Sequence, residues 1–350
     1  MTTYSDMKRV WERLYDDESK EIFDRRLSYA MGVSDGFDFF DLVKNEKCTL
    51  PASFYDWYDK QKQKDKLFVF GAGRIGEYTI EILKNNLINV EGCVDSYNST
   101  IVNLKGVDVI SFDRLYEIRE KCSVIIGSSN YRFQMLDQML KNGFDISQIY
   151  IPTYGYMRGY VGRQYFDFFE PFSGGEVFVD GGAYDGMTTV DFFDWVGEKG
   201  GKSYMFEANV QNKKMIETTL RTHKIVNYTL ITKGLYNKDC TLKFNTRGGA
   251  GARFSDDGYD IDVTSIDNTC VNDKITLIKM DIEGAESKAI EGAKKIIERD
   301  NPRLALSVYH KPNDFVNIPN ELLDINPGYR FALRHYCTMA EETILYAWVE

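Results

Sequence analysis

Histidine and proline are scarce in this chain, with three and seven copies in 350 residues. The six cysteines (Cys48, Cys93, Cys122, Cys240, Cys270, Cys337) lie far apart, with no C-x-x-C pair and no metal-ligand spacing. That excludes a zinc ribbon and a disulfide scaffold, and packed thiols are expected. No run approaches the roughly 18 apolar residues of a membrane span. The opening MTTYSDMKRVWERLYDDESKE is charged and lacks the apolar core of a signal peptide. Basic residues are outnumbered, 43 Lys plus Arg against 53 Asp plus Glu, for a net charge of −10. Nucleic-acid affinity comes mainly from neutralising phosphates, so a nucleic-acid partner is not expected. The expectation from these absences is a cytoplasmic protein without a membrane span.

What is present is the composition of a folded chain: 43% apolar and 27% charged residues. Its length suggests about two domains at roughly 150 residues each. Residues 1–60 read as a helical segment, with Val10, Leu14, Ile22 and Phe23 at helical spacing among charges, that could serve as a cap or homodimer contact. Past the polar connector QKQKDK (61–66), strands alternate with helices twice, the pattern of parallel sheets with crossover helices. The fold class is therefore α/β with two Rossmann-like units. Residues 61–152 form a five-stranded accessory unit, and 153–350 the second unit. Between them, 152–176 is rich in aromatics and glycine and predicts a linker with a short helix at YFDFF (165–169). Residues 235–266 read as hairpin material around a glycine-rich loop, and the final residues alternate like an antiparallel hairpin.

Each unit opens on a glycine loop, but the two differ chemically. In the first, LFVF runs into Gly71, Gly73 and Gly76, a G-x-G-x-x-G between strand and helix, and Asp95 ends the next strand. Those glycines permit a tight turn and close approach to a phosphate, and Asp95 stands where an acid can bind ribose hydroxyls. NAD(P) or another nucleotide could sit there. The Tyr-x-x-x-Lys pairs, at Tyr4/Lys8 and Tyr58/Lys62, precede the fingerprint and are poorly placed for a dehydrogenase. In the second unit the loop is acidic: Asp180, Gly182, Ala183, Asp185 and Gly186 give D-x-G-A-x-D-G, and Glu207 ends the following strand. Two carboxylates repel a diphosphate but suit a ligand carrying a sulfonium and an amino group, which is the logic of S-adenosylmethionine (SAM).

The run LIKMDIEGAE (278–286) falls at another strand tip, where open α/β sheets bind ligands, so Asp281 should face a cofactor or acceptor. Glu283 and Glu286 read equally as first-turn helix acids. Together VFVDGGAYDG (177–186), FEAN (206–209), TSID (264–267), KMDIEGAE (279–286), YHKPND (309–314), LRHY (333–336) and ETILYA (342–347) resemble the FkbM-type SAM-dependent methyltransferases over about 165–350. The resemblance implies a class I methyltransferase fold with a C-terminal antiparallel hairpin. It implies SAM as cofactor, with Asp180, Gly182, Asp185 and Glu207 among its contacts, and Asp281 in the active site. Ala183, Gly186 and Asn209 complete the candidate cofactor set. Ala208–Asn209 stand where the family often has Pro-Asn, and Ile266 where it often has Leu. The first unit is similar, more loosely, to Rossmann-like domains attached to sugar and polysaccharide biosynthesis enzymes.

Of the histidines, His223 reads as a solvated loop residue. His310 follows Tyr309 at a strand end on the ligand edge, and His335 precedes the final hairpin turn. A hydroxyl acceptor gains from a base near neutral pKa, which His310 supplies with Asp281 orienting it. Alternatively Asp281, His310 and His335 could hold a divalent metal that acidifies the acceptor. The expected activity is O-methylation of a sugar hydroxyl on a glycan, nucleotide sugar or secondary metabolite. The rival expectations are an NAD(P)-dependent sugar-nucleotide enzyme and a non-catalytic nucleotide-binding sensor or scaffold.

Overall fold

The apolar runs form strands and the amphipathic stretches form helices in the computed structural model, which describes residues 2–46, 48–61, 66–96, 101–128, 130–152, 160–245, 253–254 and 258–350. Two units emerge: 36–161 with 337–339, and 1–35 with 162–336 and 340–350. Residues 1–60 are largely helical as expected, and they divide between the two units. Most of the connector 61–66, together with Lys62 of the second Tyr/Lys pair, lies outside the described residues.

In the first of these units the strands are β1 (Lys66–Phe70), β2 (Gly92–Asp95), β3 (Asn103–Leu104), β4 (Val107–Ser111), β5 (Cys122–Ile126) and β6 (Ile149–Tyr150). They form one sheet in the order β3-β4-β2-β1-β5-β6. Five strands run parallel, as the alternation predicts, and β3 adds a short antiparallel edge paired with β4. Phe68, Phe70, Val94, Val124 and Ile126 make its core with Leu115 and Met139 from the covering helices.

The second unit carries β7 (Glu176–Gly181), β8 (Gly201–Phe206) and β9 (Tyr228–Ile231). A small sheet follows, made of β10 (Gly234–Leu235), β11 (Cys240–Asn245), β12 (Arg253–Phe254) and β13 (Tyr259–Thr264). Then come β14 (Leu277–Met280), β15 (Arg303–Ser307), β16 (Tyr329–His335) and β17 (Thr343–Val349). The main sheet has the order β16-β17-β15-β14-β7-β8-β9, parallel except for the terminal hairpin β16/β17. Its central strands are near-continuous apolar runs because both faces are covered. Phe178, Val179, Ile278, Met280, Leu304 and Leu306 are all shut from water. Strand order reverses between β7 and β14, and that switch point is where such sheets hold ligands.

The hairpin expected over 235–266 is a separate four-stranded sheet, ordered β10-β13-β11-β12. Most of its glycine-rich loop, 246–252, lies outside the described residues, as do 153–159 of the aromatic linker. The short helix expected at YFDFF is instead a turn. Tyr165 has φ +73°, which no right-handed helix accommodates, and the aromatic rings pack separately: Phe166 against Phe178, Phe168 against Tyr346. At the N-terminus, Thr3 and Asp6 form a capping box on the helix Tyr4–Trp11. The helix Asp17–Ala30 lies along β16, where Leu333 N–H donates to Ser19 Oγ at 3.0 Å and Arg334 pairs with Asp16 at 2.6 Å.

Candidate active site

The acidic loop begins where β7 ends. Asp180 is fully buried; its Oδ2 accepts from Thr189 Oγ1 at 2.8 Å and its Oδ1 from Lys279 Nζ at 3.1 Å. Lys279 is its neighbour across the β7/β14 register and is itself 2% exposed. The same ammonium donates to the carbonyls of Gly181 (3.0 Å) and Gly182 (2.8 Å). A buried lysine must be paired, and here its three donors grip the first three residues of the loop. Asp180 therefore shapes the loop rather than presenting a free carboxylate to a ligand. The motif alone assigns Lys279 no role, although one lysine inside an otherwise apolar strand is a readable sign of a partnered charge.

Gly182 has φ +80°, and a Cβ there would lie 2.0 Å from the Asp281 carbonyl oxygen. Only glycine lets the loop pass that close to β14. The Gly182 and Ala183 amides both donate to Phe206 O at 3.0 Å, which ties the loop to β8. Ala183 turns inward and packs with Val190, Met205, Ile216 and Leu220. Asp185 Oδ1 accepts from Met187 N at 2.9 Å, and Gly186 (φ +85°) starts the helix Met187–Val196.

Glu207, one residue past β8, is 8% exposed. Its Oε2 accepts from Tyr184 N (2.8 Å), and its Oε1 from Asn209 N (2.8 Å) and Asn212 Nδ2 (3.2 Å). Burial raises its carboxyl above the ordinary value, and these N–H donors oppose the rise. A carboxylate accepts about four hydrogen bonds, so Glu207 keeps capacity for one more. The Asn209 side chain caps the following turn, accepting from Gln211 N at 3.0 Å.

Across the switch point Asp281 follows β14 directly. Its Oδ2 accepts from Tyr165 Oη at 2.9 Å, and Tyr309 Oη lies 3.4 Å from both its oxygens. Tyr165 comes from the turn that stands where the sequence predicts a short helix. Positive φ at Glu283 (58°) and Gly284 (91°) makes the tight turn into the helix Glu286–Glu291. β15 stops at Ser307, so His310 sits in the loop beyond it. Its Nε2 is 3.3 Å from Asp281 Oδ1 and 3.6 Å from Glu283 Oε2, and its Nδ1 is 3.0 Å from Glu286 Oε1. Burial lowers the ring's pKa, but Glu286, Asp281 and Glu283 outweigh burial and bring it up to about 9. Asp314 is pushed up to about 6 by burial and by Glu286.

Asp281 and His310, the expected catalytic pair, are thus brought together. Of the residues considered for a metal, His335 is elsewhere: its Nδ1 lies 2.9 Å from Thr343 Oγ1 inside the terminal hairpin. Glu286 takes its place, and one ligand atom each of Asp281, Glu286 and His310 lies within 4.8 Å of the others. His223 ends its helix on the surface, with Nδ1 2.9 Å from Thr219 O.

Residues 180–331 match the methyltransferase FkbM domain. No curated protein matches the chain. Among solved structures it is similar to the methyltransferase FkbM from Methylobacillus flagellatus KT, at 20% identity and TM-score 0.47 over 93% of this chain and 99% of that one. It is also similar to precorrin-6y C5,15-methyltransferase from Geobacter metallireducens GS-15, at 14% identity and TM-score 0.32 over 50% of this chain and 80% of that one. The FkbM domain spans both halves of the candidate site, from Asp180 through Glu207 and Asp281 to His310.

In the other unit, Gly71 and Gly76 have the close geometry their spacing predicts, and Gly73 does not. A Cβ on Gly76 would lie 1.8 Å from Gly71 O, whereas one on Gly73 would meet nothing within 4 Å. Asp95 ends β2, half-buried. Among the described residues no helix is long and apolar enough to cross a membrane.

Proposed function

We propose that this protein is a SAM-dependent O-methyltransferase whose acceptor is a sugar hydroxyl on a small molecule, nucleotide sugar or glycan. The observation that carries the reading is Glu207, tied through Tyr184 N–H and Asn209 N–H to the loop that Lys279 clamps. Its remaining acceptor capacity suits a ribose hydroxyl, and Asp185, the loop carboxylate that Lys279 does not neutralise, suits a cation, so the residues present fit SAM. The match of residues 180–331 to the FkbM domain supports methyl transfer.

When bound, SAM supplies an electrophilic methyl group on a positively charged sulfur. The chain's own work is alignment, because an in-line displacement depends chiefly on placing the acceptor oxygen against that methyl. Asp281, steadied by Tyr165 and Tyr309, takes a hydrogen bond from the acceptor hydroxyl. His310 beside it receives the departing proton in its neutral form. Three carboxylates around a single imidazole favour a hydroxyl-rich, uncharged acceptor over an anionic one.

Calorimetry with SAM and its demethylated product, S-adenosylhomocysteine, tests the reading. Binding to the whole protein is expected, and Glu207→Ala should weaken it by about 1–3 kcal/mol. Absence of binding to the wild type, or equal affinity in a folded Glu207→Ala variant, overturns it.

A further inference from the structure

We infer that Asp281, Glu286 and His310 form a binding site for one divalent cation of the manganese class. The inference rests on the reading above only in setting this site beside the acceptor. Its first ground is charge. Asp281, Glu283 and Glu286 surround one imidazole, and Asp314 and Glu321 carry further acidic groups close by. Neighbouring cations are engaged elsewhere: Lys279 with Asp180 and the glycine loop, Lys311 with the Gly284 carbonyl, and Arg26, on the Asp314 side, with the Ala340 carbonyl.

The second ground is Glu286 itself. It is 1% exposed, Oε1 accepts from Ile282 N at 3.0 Å, and Oε2 is buried with no hydrogen-bond partner. Leaving a charged oxygen unpaired in the interior is costly, and the carboxylate's other oxygen, Oε1, lies 3.0 Å from His310 Nδ1.

The third ground is spacing. Glu286 Oε1 lies 3.0 Å from His310 Nδ1, close to the roughly 3 Å between adjacent ligands on an ion with bonds of about 2.1 Å. Asp281 Oδ1 lies 3.3 Å from the ring's other nitrogen, so an ion held by one nitrogen needs the carboxylate on the far side to shift toward it. The 4.8 Å limit that encloses all three ligand atoms exceeds the roughly 4.2 Å of opposite ligands by a sub-ångström adjustment. Two carboxylates with one imidazole is a mixed hard and borderline donor set, which suits manganese better than a thiolate-seeking ion. A cation there lies next to the acceptor end and lowers the pKa of a bound hydroxyl.

The test is titration of the whole protein with MnCl2, following loss of the free-ion electron paramagnetic resonance signal. One Mn2+ per chain is expected. Glu286→Gln and Asp281→Asn should each weaken uptake at least tenfold, and His335→Gln should leave it unchanged. Circular dichroism checks each variant, and His310→Gln replaces any that fails to fold. No uptake at millimolar Mn2+, or undiminished uptake in the folded variants, overturns the site. Calorimetry with S-adenosylhomocysteine on the same samples separates the two readings. Cofactor binding without Mn2+ uptake removes the metal site alone, and Mn2+ uptake without cofactor binding removes the methyltransferase reading alone.

Discussion

Lys279 reaches from β14 to Asp180 at the end of β7, Nζ to Oδ1 at 3.1 Å, with both side chains shut from water. The pair bridges the point where strand order reverses, and it carries two loop carbonyls with it. Breaking a buried pair leaves an uncompensated charge, whereas replacing both members by apolar groups is often close to neutral. Lys279→Met is therefore expected to cost about 3–5 kcal/mol in urea denaturation. The double variant Lys279→Met/Asp180→Leu should recover most of that stability and still lose cofactor affinity, because the loop is no longer gripped. A single variant as stable as the wild type would show the pair to be dispensable.

Gly182 and Gly73 make a contrast between the two glycine loops. An alanine at Gly182 meets both a positive φ and the Asp281 carbonyl, while one at Gly73 meets open space. Left-handed backbone alone costs a non-glycine residue about 1–2 kcal/mol. Gly182→Ala should lower affinity for S-adenosylhomocysteine at least tenfold, and Gly73→Ala should leave it unchanged. Equal calorimetric affinities in the two variants would count against the loop's role.

Asp16 supplies a pH dependence whose sign can be worked out. Burial pushes its carboxyl up, but Arg334 and the two Ser19 donors outweigh burial and bring it down to about 2. An unfolded carboxyl titrates near 3.9. A folded value below the unfolded one stabilises above that pH, and the gain is lost as pH falls through about 2. Asp16→Asn should therefore destabilise at pH 7 by roughly 1.5–3 kcal/mol, the range for hydrogen bonds to charged groups. The gap between variant and wild type should close on acidification. A gap that stays constant from pH 7 to 2 would show that the charge is not the source.

Glu207, Asp281 and His310 were legible because an acid or imidazole directly after an apolar run marks a strand tip, and strand tips in parallel sheets converge on one edge. Lys279 was legible in principle, as a lone ammonium in a buried strand. Tyr165 was not: it arrives through a turn with no periodicity, held by ring packing and by its contact with Asp281, which lies 116 residues away. Ala183 shows the limit of reading a loop by motif, because neighbouring loop residues alternate between ligand edge and core. His335 and His310 look alike as strand-end histidines. Pairing along β16/β17 sets His335 opposite Thr343, a register that spacing alone does not convey.

The first unit is expected to carry out no redox step. Two of its fingerprint glycines, Gly71 and Gly76, are closely packed, but the sequence places no Tyr-x-x-x-Lys pair downstream of them. The purified protein given NAD or NADP and nucleotide sugars should produce no reduced nicotinamide. Reduction that disappears in Gly73→Val would show the opposite.

His310 is the residue on which the mechanism turns. Its ring is held between Asp281 and Glu286, and the surrounding carboxylates keep it protonated to about pH 9 despite burial. A proton-accepting role therefore requires the neutral ring, so in chelator-treated protein turnover should rise as pH climbs towards 9. Because an acid–base group of this kind contributes about 10²–10⁴-fold, His310→Ala should cut turnover by that factor and abolish the rise. Glu207 and the clamped loop lie on β7 and β8, so affinity for SAM should be nearly untouched, the signature of an interaction made in the transition state. If the variant instead loses SAM affinity in calorimetry, His310 is a cofactor contact. With Mn2+ bound, the ring nitrogen that coordinates the ion cannot also take the proton, so the rise in turnover that depends on His310 should disappear. A pH profile identical in wild type and His310→Ala, once an acceptor is in hand, would leave His310 as a structural bridge between Asp281 and Glu286.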